Sequence, residues 1–264
     1  MSNSKPALLI VQPHLAPLTA FLEPEFTVWR FWEGPPVEAV DVIRALVVAG
    51  EFPVDKALVE RLPKLGLIAF FTAGYDGLDV PWALARGLKV SHSPGVNHED
   101  VADHALGLIL AAWRRIAEGD RMLRAGGWTA ADKMRTLSLS GRRLGIVGLG
   151  AIGEAVARRA AAFGLEIAWW GPREKPAAPW PRADSLAALA TASDILVVAC
   201  RAGEETRGMI SRAVLDALGS RGLLVNVARG QIVDEDALIE ALDEGRLGMA
   251  ALDVYQSEPT SVQR

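Results

Sequence analysis

The chain has 264 residues, half of them hydrophobic and 23% charged, with a formal net charge of −4. That suits one large domain or two modest ones with a sizeable core, and no long basic run marks a nucleic-acid surface. The longest apolar runs, such as Ile195 to Cys200, are too short for a bilayer. "MSNSKPALLIVQP" at the start lacks a signal peptide's apolar stretch, and Cys200, as the only cysteine, excludes an intrachain disulfide, so a cytoplasmic protein with no membrane or nucleic-acid partner is expected.

"PALLIVQP" (6–13) is a short apolar run between prolines and reads as a buried strand. "ALVVAG" (45–50) reads the same way. "DKALVERLPKLG" has helical spacing at Leu58, Leu62 and Leu65, cut short by Pro63. "LGLIAFFTAG" is a strand running into glycine, "VPWALARG" a short helix ending at Gly87, and "LKVSHSP" a further strand. Strands alternating with helices predict a parallel sheet covered by helices.

A long helix is expected next. Asn97 can cap it, and Glu99 and Asp100 suit its positive end. Val101, Ala105, Leu108, Ala112 and Ile116 keep helical spacing. After the loop "AGGW" (125–128) the alternation restarts at Arg143 with strand "LGIVGLG", a helix to Phe163, strand "LEIAWW" and the loop "GPREKPAAPWP". Helix "SLAALATA", strand "DILVVAC", helix "AVLDAL", strand "GLLVNVA", helix "DEDALIEALDEG" and strand "GMAALDV" come after it, which makes one doubly wound α/β unit from about residue 140.

"GIVGLGAIGEAVARRAAAFG" sets Gly148, Gly150 and Gly153 in G-x-G-x-x-G spacing, with Ala151 and Ile152 between them. The motif alone is weak. Here an apolar strand precedes it and an alanine-rich helix succeeds it, the context of a dinucleotide-binding turn. Gly148 permits the tight turn, Gly150 lets backbone approach a pyrophosphate at the helix N-terminus, and Gly153 allows close helix–strand packing. The alternative is a strand–helix turn with no ligand.

An acid at the tip of the second strand normally bonds the adenosine ribose. Here the strand ends in Gly171, with Pro172, Arg173, Glu174 and Lys175 after it. A 2′-phosphate would be tolerated there and could pair with Arg173 or Lys175, so NADP is expected in preference to NAD, with NAD possible. The alternative is a solvated loop in which Glu174 complicates either pairing.

"LLVNVARGQIVDEDALIEALDEGRLGMAALDVYQSEP", "TAGYDGLDVPWALARGLKV", "SPGVNHEDVADHALGLIL" and the GLGAIG turn occur in order. Together they resemble the D-isomer-specific 2-hydroxy acid dehydrogenases, glyoxylate/hydroxypyruvate reductases among them, from about residue 40 to Pro259. The resemblance implies a flavodoxin-like substrate domain over residues 1–96 and a Rossmann dinucleotide domain over 97–264, with the active site in a cleft between them. It also implies a homodimer built on the helix that starts near Asn97, and a small 2-keto or 2-hydroxy acid substrate with no metal.

By the same resemblance, Arg229 grips the substrate carboxylate and keto oxygen. A guanidinium can hold a carboxylate bidentately and so orient the keto carbon. Arg229 also comes after an apolar strand, at the end where open α/β sheets bind ligands. Asp253 would face the nicotinamide, and Glu258 would polarise a catalytic histidine and raise its pKa. Backbone amides near Ala73 and Gly74 would bind the substrate carboxylate. Thr206, Val227 and Ala228 look like cofactor-lining positions. Cys200 ends a strand facing the cofactor crevice and reads as a small buried apolar residue, not a redox group.

The family's histidine lies beyond the "SEP" segment, where this chain has no residue, nor has it the final helix that returns to the substrate domain. A chain truncated at its C-terminus is therefore the expectation, with a catalytically impaired dinucleotide-binding sensor or interaction module as the alternative. The four histidines are His14, His92, His98 and His104. His104 reads as structural and His98 as solvent-facing. His92, near the expected cleft, is the only plausible substitute.

Overall fold

The structure is a computed structural model and describes residues 5–34, 40–129, 134 and 136–260. The chain divides into two units, Met1–Asn97 and His98–Arg264. "TSVQR", expected to be a tail, lies from Ser261 onward outside the described residues.

The first unit runs β1 (Ala7–Ile10), α1 (Thr19–Leu22), β2 (Thr27–Arg30), β3 (Ile43–Val48), α2 (Lys56–Glu60), β4 (Leu67–Phe70), α3 (Val80–Ala85) and β5 (Lys89–Ser91). Its sheet is parallel throughout, in the order β2-β1-β3-β4-β5, which is the flavodoxin order. Asp55 and Asp79 cap α2 and α3 by accepting from the Ala57 and Trp82 amides. One sheet face presents Leu9, Leu46, Val48, Ile68 and Phe70 to Leu58, Val59 and Ala83 of the helices. The other face buries Leu8, Ile10, Leu15 and Ala49 under partly exposed residues such as Leu18 and Leu22.

The second unit contributes α4 (His98–Trp113), α5 (Ile116–Arg124), β6 (Arg143–Val147), α6 (Ala151–Ala162), β7 (Glu166–Trp170), α7 (Leu186–Thr191) and β8 (Ile195–Val198). It continues with α8 (Arg212–Leu218), β9 (Leu223–Asn226), α9 (Glu235–Asp243) and β10 (Met249–Leu252). The order is β10-β9-β8-β6-β7, again all parallel. Alternate strand residues face opposite layers. Leu144, Ile146, Ile195, Val197, Leu223 and Val225 pack with α4 and α6. Val147, Leu196, Val198 and Leu224 pack with α7, α8 and α9. Both faces are therefore buried, as the near-continuous apolar strands require.

The long helix differs from the expected pattern in two ways. Its buried stripe is Ala102, Ala105, Leu106, Ile109 and Trp113, so of the expected stripe only Ala105 is buried. Val101, Leu108 and Ala112 lie on its flank. The helix also stops before Ile116, because Arg115 takes a left-handed conformation with φ 53°. Ile116 begins α5 and is exposed.

Candidate functional site

The turn from β6 into α6 is shaped by three glycines. Gly148 has φ 93°, in the left-handed region. A Cβ added there would lie 2.6 Å from Cys200 Cα, so the β6 turn rests directly on the end of β8. A Cβ on Gly153 would lie 2.2 Å from the Gly148 carbonyl oxygen, which keeps α6 close to the strand. A Cβ on Gly150 would meet nothing within 4 Å. Gly150 is thus the one of the three whose missing side chain leaves open space. It is also the N-cap of the 12-residue α6, with no side-chain cap. The first-turn amides of Ala151, Ile152 and Gly153 have no carbonyl partner within the helix and carry its positive end. This cradle fits a pyrophosphate.

At the tip of β7, Arg182 donates from Nη2 and Nε to the Gly171 carbonyl, at 2.7 and 3.2 Å, and its guanidinium lies over Trp169. Arg173 is exposed. Lys175 is not free: its Nζ lies 2.7 Å from Glu154 Oε1 in the first turn of α6. Of the two cations expected for a 2′-phosphate, one is already paired to an acid. A cavity of about 340 Å³, lined by Trp169, Glu174, Lys175, Pro176, Trp180 and Arg182, adjoins this loop.

At the end of β8, burial pushes the Cys200 thiol up to about 11, with the negative charge of Glu205 adding to the rise against the cysteine's own backbone hydrogen bond. It is a neutral wall for the β6 turn and no nucleophile. Thr206 caps its own turn: its hydroxyl accepts from the Gly203 amide at 2.8 Å. Val227 and Ala228, read from sequence as cofactor-lining, are 5% and 7% exposed and belong to the two core layers.

Arg229 lies three residues past the end of β9, on a turn built by Asn226. The Asn226 side chain is buried, accepts from the Ala228 amide and donates to the Arg229 carbonyl, both at 3.0 Å. Arg229 Nη1 donates to the Ala228 carbonyl at 2.7 Å. Gly230 is required because a Cβ there would lie 1.9 Å from the Tyr255 carbonyl carbon. The segment after β10 is thereby packed against the Arg229 turn. Gln256 reinforces the packing through its amide on Glu235 and its side chain on the Val233 carbonyl.

Asp253 comes directly after β10, its amide donating to the Asn226 carbonyl at 3.0 Å. Its Oδ1 lies 3.1 Å from His104 Nε2 on α4. Glu258 turns its carboxylate back onto its own loop and accepts from the Tyr255 amide at 2.8 Å. His98 lies against Glu99.

In the first unit, the loop after β4 is strapped from two directions. Thr72 Oγ1 accepts from the Gly50 amide and donates to the Gly74 carbonyl, at 2.8 and 2.9 Å. His92 Nδ1 lies 3.0 Å from the Ala73 carbonyl, with its ring edge-on to Tyr75. The carbonyls of Ala73 and Gly74 are consumed. Their amides make no backbone hydrogen bond among the described residues.

Sequence reasoning missed Asn226, Glu154 and Arg182, and it missed the pairing of His104 with Asp253. An asparagine two residues before an amide it can cap is a readable Asx-turn signal. The other three act through partners 11 to 149 positions away in sequence, which no local pattern announces. Among the described residues, no group of three or more His, Cys, Asp or Glu could hold a metal, and no helix is long and apolar enough to cross a membrane.

A parallel sheet whose first turn leaves room for a pyrophosphate at a helix N-terminus is the architecture of a dinucleotide-binding α/β protein. Residues 106–264 match the model of the D-isomer specific 2-hydroxyacid dehydrogenase NAD binding domain. The chain is 42% identical over 254 residues to glyoxylate/hydroxypyruvate reductase A of Arabidopsis thaliana, covering 93% of this chain and 81% of that protein. It is equally similar, over the same shares, to the hydroxyphenylpyruvate reductase of Plectranthus scutellarioides. Among solved structures, it resembles the NADPH-dependent glyoxylate/hydroxypyruvate reductase of Sinorhizobium meliloti in complex with NADP and malonate. That match has a TM-score of 0.88 and 34% identity, covering 98% of this chain and 82% of the other.

The chain belongs to the D-isomer specific 2-hydroxyacid dehydrogenase family. It is an oxidoreductase that uses a nicotinamide dinucleotide. The alternative of an impaired sensor or interaction module finds no support in these relatives, which are named as reductases.

Proposed function

We propose that the protein reduces small 2-keto acids of the glyoxylate or hydroxypyruvate type to D-2-hydroxy acids, with NADPH preferred over NADH. The observation that carries this reading is Arg229. It is a partly buried guanidinium on a turn held by Asn226 and Gly230, on the same parallel sheet as the glycine cradle.

When bound, the reduced nicotinamide supplies a hydride to the keto carbon. The chain's own residues bind and orient. Gly148, Gly150, Ala151, Ile152 and Gly153 receive the pyrophosphate, Cys200 and Thr206 shape the surrounding wall, and Val227 and Ala228, buried in the core layers, support it from behind. Arg173 meets the 2′-phosphate, with Lys175 shared between that phosphate and Glu154. Arg229 clamps the substrate carboxylate and draws charge onto the keto oxygen as it becomes an alkoxide. In the first unit, the amides of Ala73 and Gly74 are the candidates for binding a substrate carboxylate. Asp253 faces the nicotinamide. By the resemblance Glu258 would polarise a histidine donor, but no histidine stands at that place among the described residues, so the alkoxide held by Arg229 takes its proton from water.

We read residues 1–96 as the substrate domain and 97–264 as the dinucleotide domain of a cytoplasmic homodimer. The dimer reading is favoured by α5, which buries no residue and exposes Ile116 and Leu123.

NADPH oxidation with glyoxylate and with hydroxypyruvate tests the activity. Turnover is expected with both, faster with NADPH than with NADH. Arg229→Ala should lower kcat/KM by about a thousandfold while leaving NADPH affinity unchanged. Cofactor binding without turnover of any 2-keto acid would defeat the proposal, and turnover undiminished in Arg229→Ala would defeat the role of the arginine.

A further inference from the structure

We propose that His104 is a positioning residue for the nicotinamide end of the site, acting by fixing the Asp253 carboxylate. The inference rests on the reductase reading above, in which Asp253 faces the nicotinamide.

The geometry starts from α4, which packs on β9, β10 and α6. Two of its acids serve the contact with α6: Glu99 pairs with Arg158 and Arg159, and Asp103 with Arg159. His104, one position on and about 100° further round the helix, points instead to the end of β10. There its Nε2 meets Asp253 Oδ1 at 3.1 Å. The Asp253 main chain is already anchored, because its amide donates to the Asn226 carbonyl. Asn226 is 1% exposed, and its side chain also builds the Arg229 turn. One buried asparagine thus fixes the backbone of Asp253 and of Arg229 together. The remaining freedom at Asp253 is rotation of its side chain, and His104 removes it.

A half-exposed histidine–carboxylate pair contributes little to stability. If the contact were only a surface pair, its loss would change neither folding nor function. A carboxylate set to within a fraction of an ångström beside a reacting ring gives a different expectation, because small misplacements there are amplified in rate.

The test compares His104→Ala, His104→Gln and wild type. Binding is measured for NADPH and NADH, and separately for ADP-ribose and its 2′-phosphate, which lack the nicotinamide. In His104→Ala, affinity for the preferred reduced cofactor and kcat should each fall roughly tenfold. Affinity for the adenosine-side probes and the melting temperature should stay at wild-type values. Glutamine, whose Nε2 can donate from a similar position, should restore most of the loss. Adding His104→Ala to Asp253→Ala should cost nothing further. Wild-type cofactor affinity and kcat in His104→Ala, or equal losses for both classes of probe, would overturn the inference alone. A wild-type protein that binds neither NADPH nor NADH would overturn it together with the reductase reading.

Discussion

Counted within its own unit, each sheet runs 2-1-3-4-5, and each has its topological switch between its first and third strands, β1 and β3 in one unit and β6 and β8 in the other. The two crevices are finished differently. Past β1, Gln12 is buried and its Oε1 accepts from the Ala49 amide just beyond β3, so a side chain plugs the gap. The chain then enters a 3-10 segment, Pro13–Leu18, carrying two prolines. Past β6, Gly148 brings bare backbone against Cys200, and a 12-residue helix starts at an uncapped glycine. Strand order alone therefore makes no anion site. The residue types at one turn decide whether the crevice is filled or left to a phosphate.

Substitutions at the two turns can break that comparison. The largest expected effect is at Gly150. Because a Cβ there meets nothing, Gly150→Val should leave the melting temperature near wild type yet weaken NADPH binding on the order of a hundredfold by occupying the pyrophosphate's place. Unchanged affinity by fluorescence titration would mean the cradle is only a packing turn.

A smaller effect is expected in the first unit, where glycine serves packing. A Cβ on Gly50 would sit 1.8 Å from the Gly74 carbonyl oxygen. Gly50→Ala should therefore lower the melting temperature and raise the KM for glyoxylate about tenfold, without changing NADPH affinity. A loss of NADPH affinity instead would mean that the two turns do not divide the work in this way.

The smallest effect sharpens the cofactor choice. Glu154→Gln releases Lys175 and removes an exposed negative charge beside Arg173's loop. The ratio of kcat/KM for NADPH over NADH should rise about threefold, a change fitting a solvent-screened pair. An unchanged ratio would leave Arg173 as the sole discriminating cation.

The sequence was most readable where a pattern is local. The spans around β6, β8 and β9 announce themselves by continuous apolar runs, and the glycine spacing by its flanking strand and helix. β2 escaped notice because "TVWR" is short, polar at both ends and never fully buried. The face of α4 was misjudged by one position because alanine-rich helices carry several plausible stripes. Only contact with β9 and α6 selects Ala102, Leu106 and Ile109. Arg229, Asp253 and Glu258 stood out through motif resemblance. The partners that orient them did not: His104 and Asp253 lie 149 positions apart (253 − 104) and meet only in the folded unit.

The contact between Gly148 and Cys200 also bears on how the protein is made. Neither sheet contains a hairpin among the described residues. β6 pairs with β8, Leu144 opposite Ile195, so that pairing closes a span of 51 residues (195 − 144), and such long closures come late in folding. A nascent chain that has emerged only as far as α7 already carries every letter of G-x-G-x-x-G. It still lacks the wall on which the turn rests. The turn gains that wall only once β8 pairs with β6 and brings Cys200 against Gly148.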